Sequence, residues 1–528
     1  MLSLLPILAL AGQNGQTIQV DPLLLVEANE VWSIIGRSGN KVWPGWDARK
    51  TPILIYFPGK QDLLVNHPNP PAGFVKYGGP IHTPIGPIYV KDGPTIKDMD
   101  GQNTSTEVNG VGTLVVADTL STRRQWVEGM AGQMAADPNG IEKIVTGNLF
   151  PDPYSQMTMF AHEAFHVYQS KMAPDKGGTE MALAKYPSLS VENNVGLALE
   201  SDHLAAALNA KSDSEVRQEA VKWLAARQWR RSIIGKEASD YEDGTEFNEG
   251  TAVYVEYRIL QSLERKEPAP EMWLVQGFRG FGDLSSERSG LVHRMQGFMT
   301  GTQSVNNDLY GASPVRYRMY YSGMSIGVLL DRLGAKWHDR IFKDGVTLTG
   351  LAREAIHATP SELDAALSSM KSSPHYAELT ADKTRLAKAG EIYIAEEASK
   401  FEKAPGELVL DYSKLDHPKV AFTFTPFGIL RVDADRTIFR LIPMRGKVGG
   451  ATFSEDGPRP LLQDKKSSTV LLQLTGPPDA KAIAEQIKAP NLDDAPFEAA
   501  ELHFPGVTLK NVKGRITLQG TKLIVQLR

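Results

Sequence analysis

Between Ser121 and about Lys403 the chain carries seven long amphipathic stretches with few prolines, at 121–136, 155–173, 192–211, 214–232, 243–264, 314–333 and 380–403. Apolar residues recurring every three to four positions predict helices that bury one face against one another. The middle of the molecule is therefore expected to be helical. The flanks have a different texture. Residues 17–120 are rich in glycine, proline and short β-type runs such as Ile53–Phe57 and Gly112–Ala117. Beyond Pro405-Gly406 the chain alternates again, with strands expected at 420–425, 428–432, 437–442, 515–518 and 522–527 and one helix near 479–487. Helices segregated from strands along a chain make an α+β fold. The expected division is a signal peptide over 1–11, a β-containing region over 12–120, a mainly helical domain over 121–403 and a β-rich C-terminal domain over 404–528.

Met1–Ala11 is apolar, has the length of a signal-peptide core and ends Ala9-Leu10-Ala11, an A-x-A cleavage pattern, before the polar Gly12–Gln16. Export to a periplasmic or extracellular space is the expectation. No later run reaches 18 apolar residues, so no membrane-spanning segment is expected. The 57 Lys and Arg against 62 Asp and Glu give a net charge of −5, and the chain has no dense basic run. The positive field that a phosphate backbone selects is missing, which argues against nucleic acid as a partner. The chain has no cysteine, which excludes disulfides and thiolate chemistry and leaves histidine and carboxylate as the metal ligands it can offer.

Those residue types meet in Phe160-Ala161-His162-Glu163-Ala164-Phe165-His166-Val167-Tyr168-Gln169, an HExxH pattern inside a helix expected to start at Ser155. At about 100° per residue the two imidazoles project about 40° apart, one turn above the other, the spacing two ligands of one zinc require. Glu163 lies about 60° round from His166, where its carboxylate can serve a metal-activated water without being a close ligand. A helix whose two histidines are merely packed or solvated would read the same way, so the assignment depends on a third ligand. No histidine follows at short distance: the next is His203. Downstream, Glu242, Glu246, Glu249 and Glu256 fall on one helical stripe within about 80° of arc, where four carboxylates repel unless a cation or water meets them. Glu200 is a rival, 34 residues after His166. Glu249, Glu246 and Glu200 all remain open as the third ligand on spacing alone. Arg227, Arg230 and Arg231 are expected to form a solvated face or to pair with the acidic stripe. Glu200, where it is not a ligand, reads with Asp202 and His203 as a polar helix face, and His82, His293 and His338 show no ligand spacing.

The segment Asn248-Glu249-Gly250-Thr251-Ala252-Val253-Tyr254-Val255-Glu256-Tyr257, taken with HEAFH, resembles the gluzincin zinc peptidases and is similar to the NEGxAxYxEY signature of zinc aminopeptidases. The likeness spans roughly 155–345. It implies a zincin-like catalytic domain with zinc on His162, His166 and Glu249. The 82 residues between His166 and Glu249 make a gap several times the family's, and no GxMEN counterpart is present. Tyr320-Tyr321-Ser322-Gly323 resembles the family's YxKG, with Ser322 in place of lysine, and the likeness implies that Tyr320 stabilises an oxyanion; a tyrosine packed in a helical core fits the segment equally well. The implied chemistry is zinc-dependent hydrolysis of a peptide bond, with Glu163 as general base. If Gly112–Ala117 is an edge strand beside the HExxH helix, an extended peptide or protein substrate could add to it. A zinc hydrolase of non-peptide substrates and a non-catalytic exported binding protein are the alternatives. Cleavage preference and oligomeric state are not encoded legibly.

Overall fold

Every residue of Ile53–Phe57 is apolar or aromatic, the pattern of a strand covered on both faces, and in the computed structural model of the chain all five are buried. The structure describes residues 8–11, 17–37, 40–96, 99, 101–122, 124, 152–303 and 312–528. The chain is a mixed α+β protein, helical in the middle and β-rich at both ends. Strands β1 (Leu8–Ala11) and β2 (Thr17–Val20) pair antiparallel; residues 1–7 of the expected signal peptide lie outside the described residues. Helix α1 (Pro22–Ile35) follows, opened by Asp21, whose side chain accepts from Leu24 N. The β-type texture of 17–120 concealed this helix.

Strands β3 (Ile53–Phe57), β4 (Gln61–Val65), β5 (Val75–Lys76), β6 (Ile88–Asp92), β7 (Thr104–Val108) and β8 (Val111–Ala117) form one sheet. Its order is β5-β6-β4-β3-β8-β7. Only β3 and β8 are parallel. Ile53, Ile55 and Phe57 face the main core beneath the helices, while Leu54 and Tyr56 face a smaller cluster with Val108 and Val115. The Gly112–Ala117 run is thus an inner strand, paired on both sides, so the condition under which a peptide could add to it does not hold. The edge is β7, whose pairing to β8 shields that run.

Helix α2 (Pro153–Met172) carries HExxH and lies against β8 and β7. A Cβ on Gly112 would stand 2.8 Å from Val167 Cγ1, so glycine at this position permits the close approach of helix to sheet. Helices α3 (Val191–Asn209) and α4 (Asp213–Thr245) pack together. After a single π-turn, Glu246–Gly250, the chain continues as α5 (Thr251–Leu263). Then come α6 (Ser285–Thr300), α7 (Ala312–Arg332), α8 (Leu348–Ile356), α9 (Pro360–Lys371) and α10 (Pro374–Glu402). Helix α7 crosses the π-turn at Gly250 and Gly323; a Cβ on Gly250 would sit 2.6 Å from Gly323 Cα. The helix expected over 121–136 falls mainly outside the described residues.

Beyond Gly406 the strands join one eleven-stranded sheet, in which the terminal strand Lys522–Leu527 runs parallel to Gly406–Asp411. The expected hairpin around Gln519-Gly520 is present, with Gly520 at φ 62°. The apolar core of this region takes in Leu183, Tyr186, Tyr241 and Val315 of the helical part, and Arg431 donates to Lys185 O at 2.8 Å. Packing is therefore continuous across the 403/404 boundary. No helix among the described residues is long and apolar enough to cross a membrane.

Candidate metal centre

Helix α2 is started by Pro153 at its first turn and by Asp152, whose side chain accepts from Ser155 N at 3.1 Å. The register that follows brings His162 and His166 together, with their Nε2 atoms 3.0 Å apart. Glu249 arrives from the π-turn, and its Oε2 lies 3.5 Å from each Nε2. Among the described residues this is the only group of three or more His, Asp or Glu with ligand atoms so gathered, all within 4.8 Å of one another.

Hydrogen bonds decide which atoms of the two imidazoles carry protons. His162 Nδ1 lies 2.6 Å from Glu256 Oε1; a carboxylate only accepts, so Nδ1 donates. His166 Nδ1 lies 2.7 Å from Gln169 Oε1. The Gln169 amide nitrogen faces Phe247 O, Asn248 O and Thr251 Oγ1 at 3.0, 2.9 and 2.8 Å, all usable as acceptors, which leaves its oxygen for His166. In the neutral imidazoles both Nε2 atoms therefore present lone pairs to the same point as Glu249 Oε2. The other oxygen of Glu249 is held aside by Arg316 Nη2 at 2.9 Å and Asn248 Nδ2 at 3.3 Å. Three converging lone pairs ask for a cation. Tetrahedral zinc with bonds of about 2.0–2.1 Å separates its donors by roughly 3.3 Å, and separations of 3.0 and 3.5 Å fit that scale.

Burial opposes a charge on Glu249, but hydrogen bonds and charges from His162 and His166 outweigh it and hold the carboxyl well below the usual range. Burial also disfavours charge on His162, yet Glu249 and Glu256 push it well above the ordinary imidazole value. The environment favours positive charge where the three donors meet.

Glu163 and Tyr320 line the same cleft, of about 400 Å³, together with Thr104, Ser105, Ser170 and Asn248. The Tyr320 hydroxyl accepts from Arg316 Nε at 3.3 Å. Tyr321 turns elsewhere: its ring stacks on Phe298 with centroids 5.6 Å apart and its hydroxyl meets Arg294. Ser322, at the position of the family's lysine, is buried and donates to Glu246 Oε1 at 2.5 Å. The strand bordering the cleft is β7, through Thr104 and Ser105.

The structure does not bring Glu200 or Glu246 to the histidines. Glu200 accepts from Arg227 Nη1 at 2.9 Å and Arg230 Nε at 2.5 Å, and Glu246 accepts from Arg227 Nη2 at 2.5 Å. Glu242 takes two bonds from Arg230, at 2.6 and 2.8 Å, and one from the Tyr186 hydroxyl. Arg227 and Arg230 are 1% and 0% exposed, so they pair with the acidic stripe and form no solvated face. Asp202 and His203 pair with His375 and Glu219, as a polar helix face does, whereas Glu200, expected on the same face, is fully buried against the two arginines. His338 is packed between Trp43 and Trp337 and bonds the Tyr254 hydroxyl at 3.0 Å.

Sequence reasoning missed Gln169 and Arg316. Each had a local clue: Gln169 stands three residues after His166, and Arg316 four before Tyr320, spacings that share a helix face. Comparison of the chain with known protein families, curated proteins and solved structures returned no match.

Proposed function

We propose that the chain is a zinc-dependent hydrolase of peptide bonds. The observation that carries this reading is the convergence of three lone pairs from His162, His166 and Glu249, with Glu163 beside them on the same helix. A nitrogen and oxygen donor set without thiolate suits zinc, and three protein ligands leave an open position. When bound, zinc supplies a Lewis acid for the acyl oxygen and makes water acidic enough to attack near neutral pH.

The chain's own groups account for the rest. Glu163 accepts the proton of the attacking water and delivers it to the leaving nitrogen as the C–N bond breaks and the new C–O bond forms. The Tyr320 hydroxyl accepts from Arg316, which leaves its own hydrogen to donate to the oxygen on which negative charge develops. Among the described residues no strand pairs with the outer side of β7, and that edge offers main-chain donors and acceptors to an extended peptide running beside the cleft. This support comes from β7 instead of the Gly112–Ala117 run.

The test is Glu163→Gln in the full chain, with zinc content and turnover of a peptide panel measured together. Zinc should remain at one equivalent while turnover falls about 10²- to 10⁴-fold, the usual contribution of a positioned base. Wild-type protein that takes up no zinc after remetallation, or a variant that loses metal along with activity, overturns the reading.

A further inference from the structure

We infer that Gln169 is a positioning residue that ties the two metal-bearing elements together, setting the proton of His166 with its carbonyl and holding the π-turn that presents Glu249 with its amide. The inference rests on the zinc reading above and adds a residue outside the ligand motif.

The π-turn creates the need. In an α-helix Phe247 O would accept from Thr251 N, but here Thr251 N donates to Glu246 O, five residues back. Phe247 O is left without its regular partner in a buried position, and a buried carbonyl has to be satisfied. It accepts from Thr251 Oγ1 at 2.6 Å and from Gln169 Nε2 at 3.0 Å. The same amide reaches Asn248 O at 2.9 Å, the carbonyl immediately before Glu249. Gln169 is itself 2% exposed.

The other end of the carboxamide faces His166 Nδ1 at 2.7 Å. Because the amide nitrogen is committed to acceptors, the group cannot flip without placing two carbonyl oxygens against its own oxygen. The imidazole must then carry its hydrogen on Nδ1 and keep Nε2 free for a metal. A single planar group with one acceptor and one donor end meets both demands; a carboxylate meets only the first and a thioether neither.

The experiment compares wild type, Gln169→Met and Gln169→Glu as full chains. Zinc affinity is read by competition with a chromophoric chelator, ligand geometry by visible absorption of the cobalt(II) form, and folding by thermal denaturation of the metal-free protein. Gln169→Met should weaken zinc about 10- to 100-fold, the usual cost of losing a partner behind a ligand, and should change the cobalt spectrum. Gln169→Glu keeps the acceptor for His166 and should fall between. A purely structural role would lower the melting temperature and leave affinity and spectrum alone; that outcome in Gln169→Met overturns the inference. Should Gln169→Met not fold, wild-type zinc affinity in Gln169→Glu overturns it equally. Wild-type protein that binds no zinc defeats the peptidase reading first, a different result from wild-type binding that the variants leave untouched.

Discussion

By α-helical spacing Glu242, Glu246, Glu249 and Glu256 would share one stripe, yet the two halves of that stripe are satisfied in opposite ways. The first half is closed by the protein's own charge: Glu200, Glu242 and Glu246 surround Arg227 and Arg230, and every one of these groups is buried. Burial works against ionisation of Glu242, but the charge and hydrogen bonds of Arg230 hold its pKa down to about 2. In the second half, Glu256 orients His162 while Glu249 Oε2 faces two imidazole lone pairs. Guanidinium groups complete the one cluster, and the other gathers its donor atoms round a point that could hold a metal ion. The π-turn separates the two. One inserted residue rotates Glu249 off the line that leads Glu246 into the arginines. Buried acidic residues on one stripe are therefore not one functional class.

The largest expected effect breaks the closed cluster. Arg230→Met takes both guanidinium bonds from buried Glu242 and leaves Glu200 with Arg227 alone. The expected loss is about 3–5 kcal/mol of stability, read by chemical denaturation of the full chain. A loss below about 1 kcal/mol would show that the cluster is not held by charge pairing.

A crossed pair of variants sharpens the contrast. Glu249→Gln should weaken zinc by more than the roughly 10- to 100-fold that outer partners of a metal site cost, while the metal-free protein melts close to wild type. Glu246→Gln should do the reverse, destabilising the metal-free protein through Arg227 and leaving zinc affinity within about tenfold. Equal effects of both variants on both measurements would mean that the two clusters act as one unit.

The smallest effect concerns a third kind of buried carboxylate, one with neither arginine nor imidazole at hydrogen-bond distance. Glu455 accepts from Met444 N at 2.9 Å through one oxygen, and its other oxygen finds no hydrogen-bond partner among the described residues. Burial raises its pKa to about 7, above an unfolded value near 4.3. A raised carboxyl favours the folded state when neutral. Its contribution is fully present below about pH 4 and is lost as pH rises through about 7. Wild type should therefore lose about 1–3 kcal/mol relative to Glu455→Gln between pH 5 and pH 8, measured as the difference in their denaturation midpoints. Parallel pH profiles for the two proteins would show that Glu455 ionises freely in the folded state.

Much of α2 was legible because its determinants are local. A capping aspartate, a proline at the first turn and the i, i+4 histidines specify where the helix begins and what shares its face, and the expected 155–173 helix is observed as Pro153–Met172. The strand at 522–527 was likewise legible, from its β-branched apolar run directly after Gln519-Gly520. Helix α9 was not, although Leu363, Ala366, Leu367 and Met370 recur at helical spacing and pack on the helical core, because the stripe spans barely two turns and only Met370 in it is buried. The third ligand was ambiguous for another reason. Glu200, Glu246 and Glu249 are equivalent in type and spacing until the arginines that claim two of them are placed. Which strand forms the edge was not legible because a buried inner strand and a half-buried edge strand differ in what lies beside them, which a single run of residues does not encode.

Sequence by itself determined the helical middle and β-rich ends, the absence of thiolate chemistry, and two imidazoles one turn apart with an acid between them. Each follows from composition or from the 3.6- and 2-residue periods of the backbone, which act over a few positions. Tertiary structure alone decided that Glu249 meets those imidazoles, that Arg227 and Arg230 quench its neighbours, that β7 borders the cleft and that Gln169 spans from α2 to the π-turn. Those contacts join residues about 80 positions apart in several cases, and they depend on how closely helices cross, as at Gly250 and Gly323, where the absence of a Cβ sets the approach.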